Sequence, residues 1–273
     1  MEMNYFCPKQ PFFLEATSHY YKHIVGSVGI SHFYSFIADS KFIDILGIPD
    51  GCIDIIYSCN PQSPGVFLYG TGLSPRPLKL ISGEYYFGVR FLPGYIPKFS
   101  SISFAEIIEK DMIFEELLRE ASFDKIIGNS TFFEKIEVFL EMYHRNYVKD
   151  DILNAYELKY FIRSQIIKNN GSTSISQIAE EAGYSGRHIT KVFKDNYGMS
   201  PKVFSEIIKF QHTLSVINQN EGNKLNFVSI AVENDYYDES HMFRFFKKYM
   251  KLTPKNYINY IENDLYKQKL NLI

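Results

Sequence analysis

Only three of the 273 residues are cysteine: Cys7, Cys52 and Cys59. An odd number at these spacings supports neither a disulfide framework nor a four-ligand zinc site, so the three read as small, buried apolar residues. Histidine is sparse where metal chemistry would need it. His19, His23 and His32 precede the main apolar runs, and although His19 and His23 could share a helical face, no third ligand stands near them in the sequence. The chain also lacks a Gly-x-Ser-x-Gly nucleophile elbow and a glycine-rich phosphate loop ending in lysine. Catalysis is therefore unsupported, and neither a cofactor nor a metal is expected. No apolar run approaches the roughly eighteen residues needed to span a bilayer. The opening Met1-Glu2-Met3-Asn4 has no basic start of a secretory signal, so a cytoplasmic protein away from the membrane is expected.

What is present fills a core. Hydrophobic residues make up 45% and charged residues 22%, which argues against disorder, and 273 residues exceed one usual core, so two domains are expected. The net charge of -2 divides unevenly: residues 1–150 hold 13 Lys+Arg against 18 Asp+Glu, and residues 151–273 hold 16 against 13. The basic excess lies in the second part. From about Ile43 to Phe91, short apolar runs (Cys52 to Tyr57, Val66 to Tyr69, Leu78 to Ile81, Tyr85 to Phe91) alternate with turns at Pro49-Asp50-Gly51, Asn60-Pro61, Gly70-Thr71-Gly72 and Ser82-Gly83. This reads as a small antiparallel β domain. Beyond Pro97 the period turns helical, with Phe132, Ile136, Phe139, Leu140 and Tyr143 recurring at spacings of three and four. That helix, 131–147, either packs on the β domain or forms a coiled-coil seam that makes a homodimer. The segment Tyr147 to Asp151 is the expected boundary between domains 1–150 and 151–273.

The second part contains a repeat. Ile178-Ala179-Glu180-Glu181-Ala182-Gly183-Tyr184-Ser185 returns about fifty residues later as Ile230-Ala231-Val232-Glu233-Asn234-Asp235-Tyr236-Tyr237, and each copy is followed by a second helical run. Two helices joined by a short turn, the second carrying cations outward, form the plan that enters a DNA major groove. In the first copy Gly183 supplies the left-handed turn position and Ser185 the cap. At 100° per residue, Ile189, Val192 and Phe193 then face inward, while Arg187, Lys191 and Lys194 face outward with Thr190 at the margin. Arg187 and Lys191 suit guanine edges, Lys194 suits a phosphate, and Tyr184 reads as core. In the second copy Asp238 caps the helix, Met242, Phe245, Phe246 and Tyr249 face inward, and Glu239, Ser240, Phe243, Arg244 and Lys247 face outward. Phe243 either meets a thymine methyl or is partly buried against the first half of the chain.

The run Ile178-Ala179…Gly183-Tyr184-Ser185…His188-Ile189…Phe193-Lys194…Gly198-Met199-Ser200-Pro201, repeated as Ile230-Ala231…Tyr236…Ser240-His241…Arg244…Phe246-Lys247…Leu252-Thr253-Pro254…Tyr257, resembles the DNA-binding domain of AraC/XylS transcriptional regulators. The resemblance covers roughly 154–260. It implies an all-α domain of seven helices: a first helix-turn-helix unit at about 175–197, a linker helix at about 201–218 and a second unit at about 226–250. It also implies binding to double-stranded DNA with the recognition helices about one turn apart, and contact with RNA polymerase. Asp235 stands where that family usually has glycine, Tyr236 where it has phenylalanine, and Tyr249-Met250 where Phe-Gly is common. The runs Ile48 to Tyr57 and Gly88 to Gly94 resemble an N-terminal domain of some such regulators, which implies a cupin-like β domain with flanking helices that senses a small molecule. A pocket there would be lined by Tyr57, Tyr69, Tyr86 and Arg90, although Arg90 could instead pair with Asp54. A metal-dependent cupin enzyme would need a histidine cluster on the strands, and the apolar runs supply none. The expectation is an α+β chain that is not an enzyme but a sequence-specific transcriptional activator, controlled at its first half either by a small effector or by a partner without any pocket.

Overall fold

The computed structural model describes residues 6, 8–15, 17–38, 45–78, 80–95, 102–128, 130–147, 157–219, 225–261 and 270–272. Cys7 and nearly all of the boundary segment lie outside them. The first half is built on strands β1 Thr17–Ser27, β2 Ile30–Ala38, β3 Ile45–Gly47, β4 Asp54–Ser58, β5 Gly65–Tyr69, β6 Arg76–Leu78, β7 Tyr85–Phe91 and β8 Asp111–Ile113. Helix α1 Pro11–Glu15 precedes them; α2 Phe104–Ile107, α3 Glu115–Leu118, α4 Phe123–Ile127 and α5 Phe132–Tyr147 come later in the chain. A last strand, β9 Leu270–Leu272, closes the chain. One seven-stranded sheet has the order β8-β5-β4-β7-β2-β1-β9, and β3 pairs with β6 in a second, two-stranded sheet.

The sheet is larger than the sequence suggests, because β1 and β2 form a hairpin that local pattern does not announce. Their two-residue loop holds Val28 at φ 48° and Gly29 at φ 79°, the double positive φ that matches the twist of paired strands. His19 and His23 therefore lie on a strand, not on a helical face, since β1 runs through both. The expected strand at Leu78 to Ile81 is displaced: pairing covers Arg76–Leu78 against Ile45–Gly47. Pairing within the large sheet is antiparallel except at one edge, where Tyr20, Tyr21 and Lys22 of β1 align in parallel with Leu270, Asn271 and Leu272.

Both faces of the sheet are covered, so its central strands β2 and β4 are buried almost throughout. On one face Phe13, Tyr20, Tyr34, Phe36, Ile56, Tyr69 and Tyr86 pack together. Gly88 makes this possible, because a Cβ there would stand 2.2 Å from the Tyr34 ring. The other face carries Phe33, Ile55, Tyr57, Phe87 and Val89 and continues into the helices. Helix α5 belongs to it. A Thr131–Glu134 capping box starts the helix. Phe139 then meets Phe33 at 5.6 Å, and the Tyr143 hydroxyl donates to Val28 O at 2.9 Å. The seam residues Ile136, Phe139 and Tyr143 are thus consumed in the chain's own core, where burial contributes roughly 1.5–3 kcal/mol for a side chain such as Phe. Of the two readings of 131–147, this packing is the one on the β domain.

Among the described residues, seven helices follow: α6 Leu158–Lys168, α7 Ile175–Ala182, α8 Gly186–Tyr197, α9 Pro201–Gln219, α10 Phe227–Glu233, α11 Glu239–Met250 and α12 Pro254–Ile261. The chain is therefore α+β, an antiparallel sheet region followed by a helical domain. The two halves share one continuous core. Phe104 of α2 meets Tyr197 of α8 at 5.7 Å, and the buried Gln211 of α9 gives its amide to Lys9 O and Pro49 O while accepting from Lys9 N.

Candidate nucleic-acid interface

Ser174 opens α7 through a reciprocal capping box with Gln177, and Gly183 ends it at φ 71°, in the left-handed region. Ser185 then accepts from His188 N at 3.2 Å and starts α8. Ile189, Phe193 and Tyr197 turn inward, with Phe193 5.4 Å from Phe204 of α9. Arg187, Lys191 and Lys194 are exposed on the opposite side, and the first half of the chain, packed on Tyr197, leaves them free. Thr190 is half-buried, its hydroxyl donating to Gly186 O at 2.8 Å. These side chains line one open groove together with Ser176, Tyr184 and Lys202; four of its side chains are cationic and two, Glu180 and Asp195, anionic. Such a surface favours a polyanion.

Tyr184 corrects its reading as core. It is 52% exposed, and its ring stacks on His188 at 4.9 Å. Ser176 and Lys202 were also missed, because each belongs to a neighbouring helix and only the fold brings it to the groove.

The second unit is held against the linker helix α9. Lys209 Nζ donates to Asp235 O at 2.7 Å and lies 4.7 Å from the Tyr236 ring centre, and the Tyr236 and Thr213 hydroxyls are 2.9 Å apart. Glu206 accepts from Lys248 at 2.7 Å and from Tyr249 at 2.8 Å. Asp238 caps α11 through His241 N. Ser240, Arg244 and Lys247 are exposed, and Glu239 is half-buried. Phe243 is half-buried too, but its partner is Phe227 of α10 at 5.2 Å, edge to face, with Lys255 near its ring. Its burial is thus within its own helix-turn-helix unit and not against the first half.

Asp235 does take the turn glycine's place, at φ 54°, and Lys251 occupies at φ 64° the position that Gly198 holds after α8. Left-handed backbone costs a residue with a Cβ about 1–2 kcal/mol, and least for Asp or Asn. Lys251→Gly is expected to stabilise the chain by about 0.5–1 kcal/mol, and Asp235→Gly by less, in urea unfolding. A loss of stability in both variants would contradict this account of the two turns.

The four residues expected to line a pocket in the first half do not converge. Tyr57 lies on the far face of the sheet, packed near Phe87 and Phe123. Tyr86 is on the near face but spends its hydroxyl on Glu84 and Ile81 N. Tyr69 and Arg90 do line a cavity, together with Tyr34, Asp50, Asp54 and Gln10, of about 40 Å³. Arg90 is committed there to Asp54, with two bonds of 2.8 Å, and to Asp50 at 3.2 Å. Among the described residues, no three His, Cys, Asp or Glu side chains are placed to hold a metal, and no helix is long and apolar enough to cross a membrane.

Residues 178–260 match the family described as a helix-turn-helix domain. This segment is a helix-turn-helix domain of the AraC type. Residues 30–112, ahead of the AraC-type domain, match a domain of unknown function, DUF6597. An uncharacterized HTH-type transcriptional regulator of Haemophilus influenzae is 24% identical over 204 residues, covering 71% of this chain and 67% of that protein. The probable transcription factor PqrA of Proteus vulgaris is 25% identical over 97 residues, covering 36% of this chain and 76% of its own. ToxT of Vibrio cholerae, a solved structure, is 12% identical with a TM-score of 0.41, over 80% of this chain and 88% of that one. With its AraC-type domain, the chain is a DNA-binding transcriptional regulator.

Proposed function

We propose that this regulator binds DNA sequence-specifically and activates transcription through RNA polymerase, under the control of its first half. Residues 1–150 would be the controlling domain and 151–273 the DNA-binding domain. The observation that carries the reading is the exposed cationic face of α8, Arg187, Lys191 and Lys194, set on a helix whose inner face shares a core with the first half. Arg187 and Lys191 would read base edges, with Thr190 beside them and Lys194 on a phosphate. In the second unit Ser240, Arg244 and Lys247 would hold the backbone, and Glu239 would accept from a cytosine amino group. Phe243 would present only its free edge. One chain offers two recognition helices, so the reading needs no dimer.

Control by a partner is favoured over control by an enclosed small molecule. The cavity beside Arg90 has about 40 Å³, room for a water or two, whereas pockets that enclose a metabolite measure roughly 300–1,000 Å³. Transcription in vitro tests the activator reading, using purified protein, RNA polymerase and a promoter carrying a DNA site that the protein selects from random duplexes. Transcript should rise with added protein; a fall would make it a repressor. A thermal shift with any sugar, metabolite or fatty acid would return the effector to the small-molecule class.

A further inference from the structure

The turns of the two helix-turn-helix units differ by one residue. In the first, a single residue, Tyr184, separates left-handed Gly183 from the cap Ser185; in the second, two residues, Tyr236 and Tyr237, separate left-handed Asp235 from the cap Asp238. The longer turn divides the work between two rings. Tyr236 goes into the core at 6% exposure, its hydroxyl beside that of Thr213, and Tyr237 is pushed outward to 91%. In the first unit Tyr184 stops between these positions, at 52%, over His188.

A phenol ring projecting from a turn is unremarkable by itself, since single exposed apolar groups are common. Its place is what matters here. Tyr237 immediately precedes the cap of α11, and the N-terminal end of a recognition helix is the end that approaches the bases. The next two side chains in the chain are the acids Asp238 and Glu239, and the Tyr237 N–H faces His241 Nδ1 at 3.4 Å. Asp238 is engaged with His241 N, where the helix dipole stabilises its charge. An uncharged, largely apolar ring beside two acids suits the carbon-rich parts of DNA, deoxyribose and the thymine methyl, rather than a phosphate.

We propose that Tyr237 is a DNA contact of the second unit, its ring packing on deoxyribose or a thymine methyl at the mouth of the groove that α11 enters. The proposal rests on the DNA-binding reading above. The test uses the full chain and a labelled duplex that the wild type selects from a random pool, with affinity read by anisotropy at fixed salt. Tyr237→Ala should bind about tenfold more weakly, the size of one good apolar or hydrogen-bonded base contact. Tyr237→Phe, which keeps the ring, should bind within about twofold of wild type, and the melting temperature should stay the same in both variants. Arg187→Ala is the reference arm. If it loses affinity while Tyr237→Ala binds like wild type, the proposal is overturned and the DNA-binding reading stands. If Tyr237→Phe loses as much as Tyr237→Ala, the ring contact is overturned. A wild type that selects no duplex would end both.

Discussion

Replacing Arg90 with methionine is expected to destabilise the chain by roughly 3–5 kcal/mol, the cost of breaking a buried ion pair by removing one partner. Register creates the pair, because Asp54 of β4 stands directly opposite Arg90 of β7. Arg90 and Asp54 are each 7% exposed and Asp50 is 4% exposed. The Tyr34 hydroxyl donates to Asp54 at 2.8 Å, and Gln10 Nε2 donates to Asp50 at 2.8 Å. Burial alone would lower the pKa of the guanidinium, but Asp54 and Asp50 outweigh it and raise that pKa, so Arg90 stays charged. Without it, two carboxylates are left in a site with room for little water. The damage should spread, since the loop that carries Asp50 also holds α9 through Pro49 O and Gln211, 2.9 Å apart. Adding Asp50→Asn and Asp54→Asn to the methionine variant should recover much of the loss, because a neutral site no longer strands charge. Urea unfolding decides this, and a loss below about 1 kcal/mol for Arg90→Met would show the network to be dispensable.

The helix-turn-helix units were legible because turn, cap and period coincide within a few residues: Gly183 with Ser185, Asp235 with Asp238, and an inward stripe of Ile189 and Phe193. Tyr184 is exposed, whereas Tyr236, at the matching place in the repeat, is core, and the one extra residue in the second turn that separates their fates has no local signal in the sequence. The sheet was legible only in part. Strands β4, β5 and β7 lie between recognisable turns, whereas β2 is buried on both faces and shows no alternation. The parallel strand β9 has three residues and no local signal, and its pairing depends on the chain returning to β1. Arg90 with Asp54 could be suspected from charge alone, but the third member, Asp50, comes from a loop that only the fold brings near. Helix α5 had the spacing of a seam, and spacing does not say which surface fills it.

Arg187→Ala and Lys191→Ala are each expected to weaken binding to the selected site by roughly 1–3 kcal/mol, about tenfold or more. Both side chains are exposed, so the melting temperature should hardly move. Together the two changes should cost a hundredfold or so in affinity if the contacts act independently. Each lost phosphate contact would also flatten the dependence of affinity on salt by about 0.9 in log–log slope, whereas a lost base contact leaves the slope unchanged. The most direct test of the account is therefore the binding of wild type, Arg187→Ala and Lys191→Ala to the selected duplex and to a scrambled one, measured across salt concentrations. The account predicts that both variants lose affinity for the selected duplex much more than for the scrambled one, at an almost unchanged salt slope. Equal affinity of wild type and both variants for the selected duplex at every salt concentration would contradict it.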